Sequence, residues 1–227
     1  MEEYDRPLEI YSAMSENAKN SVSMEQFCNV YAAYTASGRG QEALDSFPVS
    51  DFSSIKPDSQ FEVLYNRSCA NISINNLDEA EEDLKQAEEV CKRVLAEEGS
   101  TQEEIDTELN SIKLQSAYLK IVKSRSSTDT AEALTTCRDV LKSFGPGKNK
   151  DLELMAVAAN NLAVLRGDKD LPDSLRRLRN TITVEAEGKL APSQLKELKF
   201  NRCILLLHLR KTDEALRTID ELEKRCV

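Results

Sequence analysis

Tryptophan is absent from this chain of 227 residues, histidine occurs once, and glycine (7) and proline (6) are scarce. With so few helix breakers, and with Glu, Lys, Leu, Ala, Arg and Gln abundant, the composition favours helix, because these side chains lose little rotamer freedom on a helix surface. Aromatic residues make up 5% and do not interleave with the arginines, so a base-stacking platform for single-stranded nucleic acid is poorly supported. No apolar run is long enough to span a bilayer, so membrane insertion is not expected. The six cysteines, Cys28, Cys69, Cys91, Cys137, Cys203 and Cys226, are scattered without a C-x-x-C pair. Neither a disulfide framework nor a zinc site is expected from them, and reduced thiols suit a reducing, cytoplasmic compartment.

Signatures of chemistry are missing as well. The phosphate-cradling G-x-x-x-x-G-K-[ST], the dinucleotide G-x-G-x-x-G and the nucleophile elbow G-x-S-x-G do not occur. The single histidine, His208, follows the apolar segment that starts at Phe200 and reads as a packed or rim residue. Carboxylate pairs such as Glu88-Glu89 and Glu97-Glu98 read as solvated helix faces. No catalytic residue, cofactor or metal is expected, and the chain is not expected to be an enzyme.

The 40% apolar content supports a continuous core. The net charge of −10 is unevenly spread: residues 1–113 hold 24 acids and 9 bases, and residues 114–227 hold 16 acids and 21 bases. Broad nucleic-acid binding is disfavoured for the first part. The densest basic stretch, Arg176, Arg177 and Arg179, is a candidate contact for phosphate or for a partner's acids, or else the outer face of a helix.

Self-similarity organises what remains. Shifted by 135 residues, Asn66-Arg67 falls on Asn201-Arg202, and Asp78-Glu79-Ala80 falls on Asp213-Glu214-Ala215. Each segment reads as an apolar helix, a short polar turn and a second amphipathic helix. A small residue recurs in the second helix, at Ala43, Ala80, Ala133, Ser174 and Ala215, with spacings of 37, 53, 41 and 41 residues. A small anchor lets paired helices approach closely, and a larger residue one turn later fills the next gap: Phe47, Leu84, Cys137, Leu178 and Ile219.

The expected fold class is all-α: tetratricopeptide-like helical hairpins stacked as a right-handed superhelical solenoid. One array over 1–227 is expected, with units near 1–20 (partial), 23–50, 60–98, 102–144, 151–186 and 193–227. Helices are expected at about 5–19, 23–37, 40–47, 60–75, 78–98, 102–124, 129–144, 151–166, 171–185, 193–210 and 213–225. The first of these looks like the second helix of a hairpin without its mate, so the chain is expected to be a piece of a longer array.

Fourteen residues before the anchors stand Asn29, Asn66, Asn160 and Asn201, with only Leu119 breaking the series. An amide both donates and accepts, so these asparagines suit either a repeat-to-repeat hydrogen bond or contact with a ligand backbone. Fifteen residues before the anchors stand Cys28, Tyr65, Tyr118, Ala159 and Phe200, and eleven before stand Ala32, Cys69, Val122, Ala163 and Ile204. These positions predict an apolar concave stripe without Lys or Arg, which argues against a carboxylate clamp and suits an amphipathic or extended partner segment. The candidate groove residues are therefore Asn29, Tyr65, Asn66, Cys69, Tyr118, Val122, Asn160, Phe200, Asn201 and Ile204.

The segments 61–70 (FEVLYNRSCA), 87–93 (AEEVCKR) and 156–162 (AVAANNL), with Asp173-Ser174 and 195–201, resemble the seventy-two-kilodalton-subunit family of the signal recognition particle. The resemblance runs in order from about Tyr4 to the end and covers the middle repeats of that family. It implies a cytosolic ribonucleoprotein subunit that binds the sixty-eight-kilodalton subunit through its repeats and supports targeting of secretory and membrane proteins to the endoplasmic reticulum. It also implies RNA contact through a separate basic region that this chain does not include. The alternative is a generic tetratricopeptide adaptor of another cytosolic complex.

Overall fold

A computed structural model describes residues 24–46, 60–123, 126–144 and 151–223. The helix expected at about 5–19 and most of the irregular segments lie outside these residues. Within them the elements are α1 (Met24–Ala36), α2 (Gly40–Ser46), α3 (Gln60–Ser73), α4 (Leu77–Glu97), α5 (Gln102–Lys123) and α6 (Ser127–Ser143). They continue with α7 (Leu152–Arg166), α8 (Leu171–Thr181), the single turn α9 (Val184–Glu187), α10 (Pro192–His208) and α11 (Thr212–Glu223), and no strand occurs among the described residues. The chain forms two compact units, Met1–Leu119 and Lys120–Val227. Because no charged residue lies between 113 and 120, unit 1 carries 24 acids and 9 bases and unit 2 carries 16 acids and 21 bases.

All five anchors, Ala43, Ala80, Ala133, Ser174 and Ala215, are buried. Of the larger residues one turn later, Leu84, Cys137 and Leu178 are buried and Ile219 is half-buried; Phe47 lies outside the described residues. In unit 1, α3 is shared between two cores. Val63 and Ala70 pack with Tyr31, Tyr34 and Ala43, while Leu64 packs with Leu84, Ala87, Cys91 and the Ile105-Leu109-Ile112 stripe of α5. Gly40 is required by close approach: a Cβ there would stand 2.1 Å from Ser73 Oγ and 3.0 Å from the Ala70 carbonyl oxygen. In unit 2 one core joins Ala156, Ala159 and Ala163 of α7, Leu175 and Leu178 of α8, and Leu198, Cys203 and Leu206 of α10 to the anchor Ala215.

Three hairpins share one turn. Gly38, Asn75 and Arg210, each five residues before an anchor, have φ of 75°, 64° and 57°. In each, the next residue's N–H reaches the carbonyl five back, Arg39 to Tyr34, Asn76 to Asn71 and Lys211 to Leu206, all at 2.8 Å. This closes the helix end and satisfies its last carbonyls. The α7–α8 turn departs from the pattern. It holds four residues, 167–170, and places positive φ at Gly167 and at Asp170.

One expected helix, 171–185, is broken. Ile182 (ψ 76°) leaves the helical region, and Thr183 adopts extended backbone and accepts a hydrogen bond from the Ala186 N–H at 3.2 Å, starting α9. A threonine whose hydroxyl caps the following turn competes with helix continuation. The start of α5 is a capping box: Thr101 and Glu104 exchange hydrogen bonds between side chain and backbone. In α10, Pro192 opens the helix, and Gln194 Oε1 accepts the Ala191 N–H at 2.9 Å.

Candidate functional site

The predicted groove residues divide between the units. In unit 1, Asn29 is exposed, Tyr65 packs half-buried against the α3–α5 core, Cys69 is half-buried, and Tyr118 is exposed. Asn66 Nδ2 donates to the Cys28 carbonyl oxygen at 3.3 Å, tying α3 back to α1. In unit 2, Val122 is exposed, and Asn201 Nδ2 donates to Asn160 Oδ1 at 3.0 Å, tying α10 back to α7. Both bonds run between first helices of successive hairpins, the repeat-to-repeat role. Three of the cysteines are shielded: burial pushes the thiols of Cys28 and Cys69 up to about 11 and that of Cys137 up to about 12, far from a reactive thiolate.

Unit 2 holds a concave feature between α7 and α10. A cleft of about 280 Å³ is lined by Ala163, Val164, Gly167, Asp168, Leu171, Asn201, Ile204, Leu205 and His208. It opens beside the four-residue α7–α8 turn. The Asn160–Asn201 bond links its two helices. Phe200 (56% exposed), Ile204 (38%) and Leu207 (50%) stand at i, i+4 and i+7 along α10, and Val164 (50%) faces solvent from α7. Ala159 and Ala163, which share the predicted phase with Phe200 and Ile204, are instead buried in the core. At the rim, His208 Nδ1 lies 3.5 Å from Asp168 Oδ1.

The cleft is at the small end of ligand sites, sized for one or two apolar side chains rather than a cofactor. Its lining is mostly apolar, and the adjoining stripe is of the kind that marks protein interfaces. Val164, Leu171, Leu207 and His208 were not among the predicted site residues. The spacing of Phe200, Ile204 and Leu207 is a readable signal for Leu207. The contribution of α7 and its turn depends on tertiary packing.

The basic stretch is internally engaged. Asp173 accepts from Arg166 and Arg177, each at 2.7 Å, and from Arg176, while Arg179 pairs with Glu214. Chiefly through Arg166, then Arg177 and Arg176, the Asp173 carboxyl is held well below the usual carboxylate range. No helix among the described residues is long and apolar enough to cross a membrane.

Helical hairpins with buried small anchors and an apolar cleft between first helices define a tetratricopeptide-like repeat protein. Solved structures agree on the fold. The chain matches BtubC from P. vanneervenii with a TM-score of 0.63 and 16% identity, over 98% of this chain and 90% of that one. It matches the tetratricopeptide-like repeats of a kinesin light chain from Podospora anserina with a TM-score of 0.56 and 13% identity, over 89% of this chain and 93% of that one. No family model matches the chain. Among curated proteins, the chain is similar to signal recognition particle subunit SRP72. It is 27% identical to the Homo sapiens protein over 99% of this chain and 26% identical to that of Caenorhabditis elegans over 97%. It spans about a third of the length of these relatives, 32% in both cases.

Proposed function

We propose that the chain is a non-catalytic, protein-binding scaffold of the signal recognition particle. On this reading it acts in the cytoplasm, and the five hairpins belong to one repeat array. The α7–α10 groove takes an apolar segment of the sixty-eight-kilodalton subunit and so supports targeting to the endoplasmic reticulum. The observation that carries the reading is the solvent-facing stripe Phe200-Ile204-Leu207 beside the cleft, on a chain similar to SRP72 over 99% of its length. Aromatic and aliphatic side chains in such a setting supply contact area at small entropic cost. RNA contact is assigned to parts of the longer relatives outside this match, since Arg176, Arg177 and Arg179 are held by Asp173 and Glu214.

Co-purification of the chain with the purified sixty-eight-kilodalton subunit tests the reading. Retention of wild type and loss with the double variant Phe200→Ala/Ile204→Ala, at unchanged melting temperature, is the expected result. Failure of the wild-type chain to bind that subunit overturns it.

A further inference from the structure

The repeat relation pairs α3–α4 with α10–α11 residue by residue, and the pairing exposes a missing group. Arg67 in unit 1 lies 3.4 Å from the Asp83 carboxylate, whose side chain is only 4% exposed. Asp83 also accepts from Asn71 Nδ2 at 2.9 Å, and Asn76 Nδ2 donates to Asn71 Oδ1 at 3.2 Å. Shifted by 135 residues, the arginine recurs as Arg202, but Asp83 becomes Thr218, Asn71 becomes Leu206 and Asn76 becomes Lys211. Thr218 is buried and donates its hydroxyl to the Glu214 carbonyl oxygen, within its own helix. Among the described residues the buried Arg202 Nε has no hydrogen-bond partner, although the residue as a whole keeps part of its surface exposed. Its neighbours one turn away on α10, Leu198 and Leu206, are buried and apolar. A buried N–H without an acceptor is unfavourable, and a carboxylate brought to a partly buried guanidinium gains more than it would in water.

We propose that Arg202 is a receptor for a carboxylate carried by the protein partner, an Asp or Glu side chain that meets the guanidinium from its exposed side and supplies the charge that Asp83 supplies to Arg67. Arg202 lies two residues from Phe200, on the far side of α10, so it marks a contact outside the apolar stripe. The chemistry that fits is a partner segment with an acidic residue. Carboxylate is named rather than phosphate because the same arginine position in unit 1 is filled by a carboxylate. The inference rests on the reading of the chain as a protein-binding subunit.

The test measures affinity for the purified sixty-eight-kilodalton subunit, and melting temperature, for the whole chain and three variants. Arg202→Met removes the cation. Thr218→Asp places an internal carboxylate where Asp83 stands in the other hairpin, and so occupies Arg202. Phe200→Ala reports on the groove. Arg202→Met and Thr218→Asp are each expected to weaken binding tenfold or more, with melting unchanged or raised. Wild-type affinity in both, while Phe200→Ala weakens binding, overturns the carboxylate receptor and leaves the groove reading standing. A fall in melting temperature for Arg202→Met, with wild-type affinity in Thr218→Asp, makes Arg202 a structural residue and also overturns the proposal. Absence of binding by the wild-type chain overturns the groove reading and this inference together.

Discussion

The hairpins α3–α4 and α10–α11 share their turn, their buried anchor and the asparagine that ties each back to the preceding first helix. They differ in how their faces are finished. In unit 1 the α3–α4 hairpin is covered by the apolar stripe of α5, and its arginine is neutralised by Asp83. In unit 2, Phe200, Ile204 and Leu207 of the matching helix are exposed, and no carboxylate among the described residues pairs with Arg202. One repeat plan thus yields a closed hairpin, finished by its own chain, and an open one. The difference lies in the α5 stripe that covers the first hairpin and in a handful of side chains.

The largest expected contrast is in the core. Leu84→Ala should cost about 2–5 kcal/mol, because Leu84 is buried in the α3–α5 core. The same change at its twin, Ile219, should cost about 1–2 kcal/mol, since less surface is removed from water there. Urea denaturation of both variants checks this; equal losses would mean that the α11 face is as closed as that of α4. Overpacking should affect the twins alike. Ala80→Leu and Ala215→Leu should each destabilise by about 1–3 kcal/mol, and an unchanged midpoint in either would show that its helix pair tolerates separation.

A pH contrast follows from Asp83. Burial raises its carboxyl to about 6 against the opposing pull of Arg67 and Asn71, so the folded state holds the proton more tightly than the unfolded chain does. The sign is then fixed: stability of α3–α4 rises as pH falls from 7 towards 5, by about 1 kcal/mol. Protection factors of the α3–α4 amides, corrected for the intrinsic pH dependence of exchange, should rise over that interval, and Asp83→Asn should abolish the rise. The matching α10–α11 amides, with Thr218 in that place, should not show it. The smallest contrast is in the turns. Arg210 occupies the left-handed region that Asn75 and Gly38 occupy at less strain, so Arg210→Gly should stabilise by up to about 1 kcal/mol, the relief of strain less the added freedom of the unfolded chain, while Asn75→Gly changes little.

Much of the fold was legible because a helical hairpin repeats its constraints. The small anchors, the apolar residue one turn later and the polar turns recur in the chain, and nine of the expected helices coincide with described elements to within a few residues. The bend at Ile182–Thr183 was not legible, because a threonine hydroxyl capping Ala186 is a local competition that apolar periodicity does not register. The site was legible in phase and illegible in exposure. Ala159 and Phe200 hold the same place before their anchors, yet one is buried and the other open, because the neighbouring helix decides which is covered. The cleft depends on a four-residue turn where three other hairpins use three residues, and the orphaned nitrogen of Arg202 depends on which side chain faces it across the helix pair.

Hydrogen exchange on the chain alone and bound to the sixty-eight-kilodalton subunit tests the central claim most directly, because it locates the contact without a mutation. The account predicts added protection in α7 and α10, strongest from Ala163 to Gly167 and from Phe200 to His208, with α3 and α4 little changed. Protection confined to α3–α5, or complex formation with no change along α7 and α10, would contradict it.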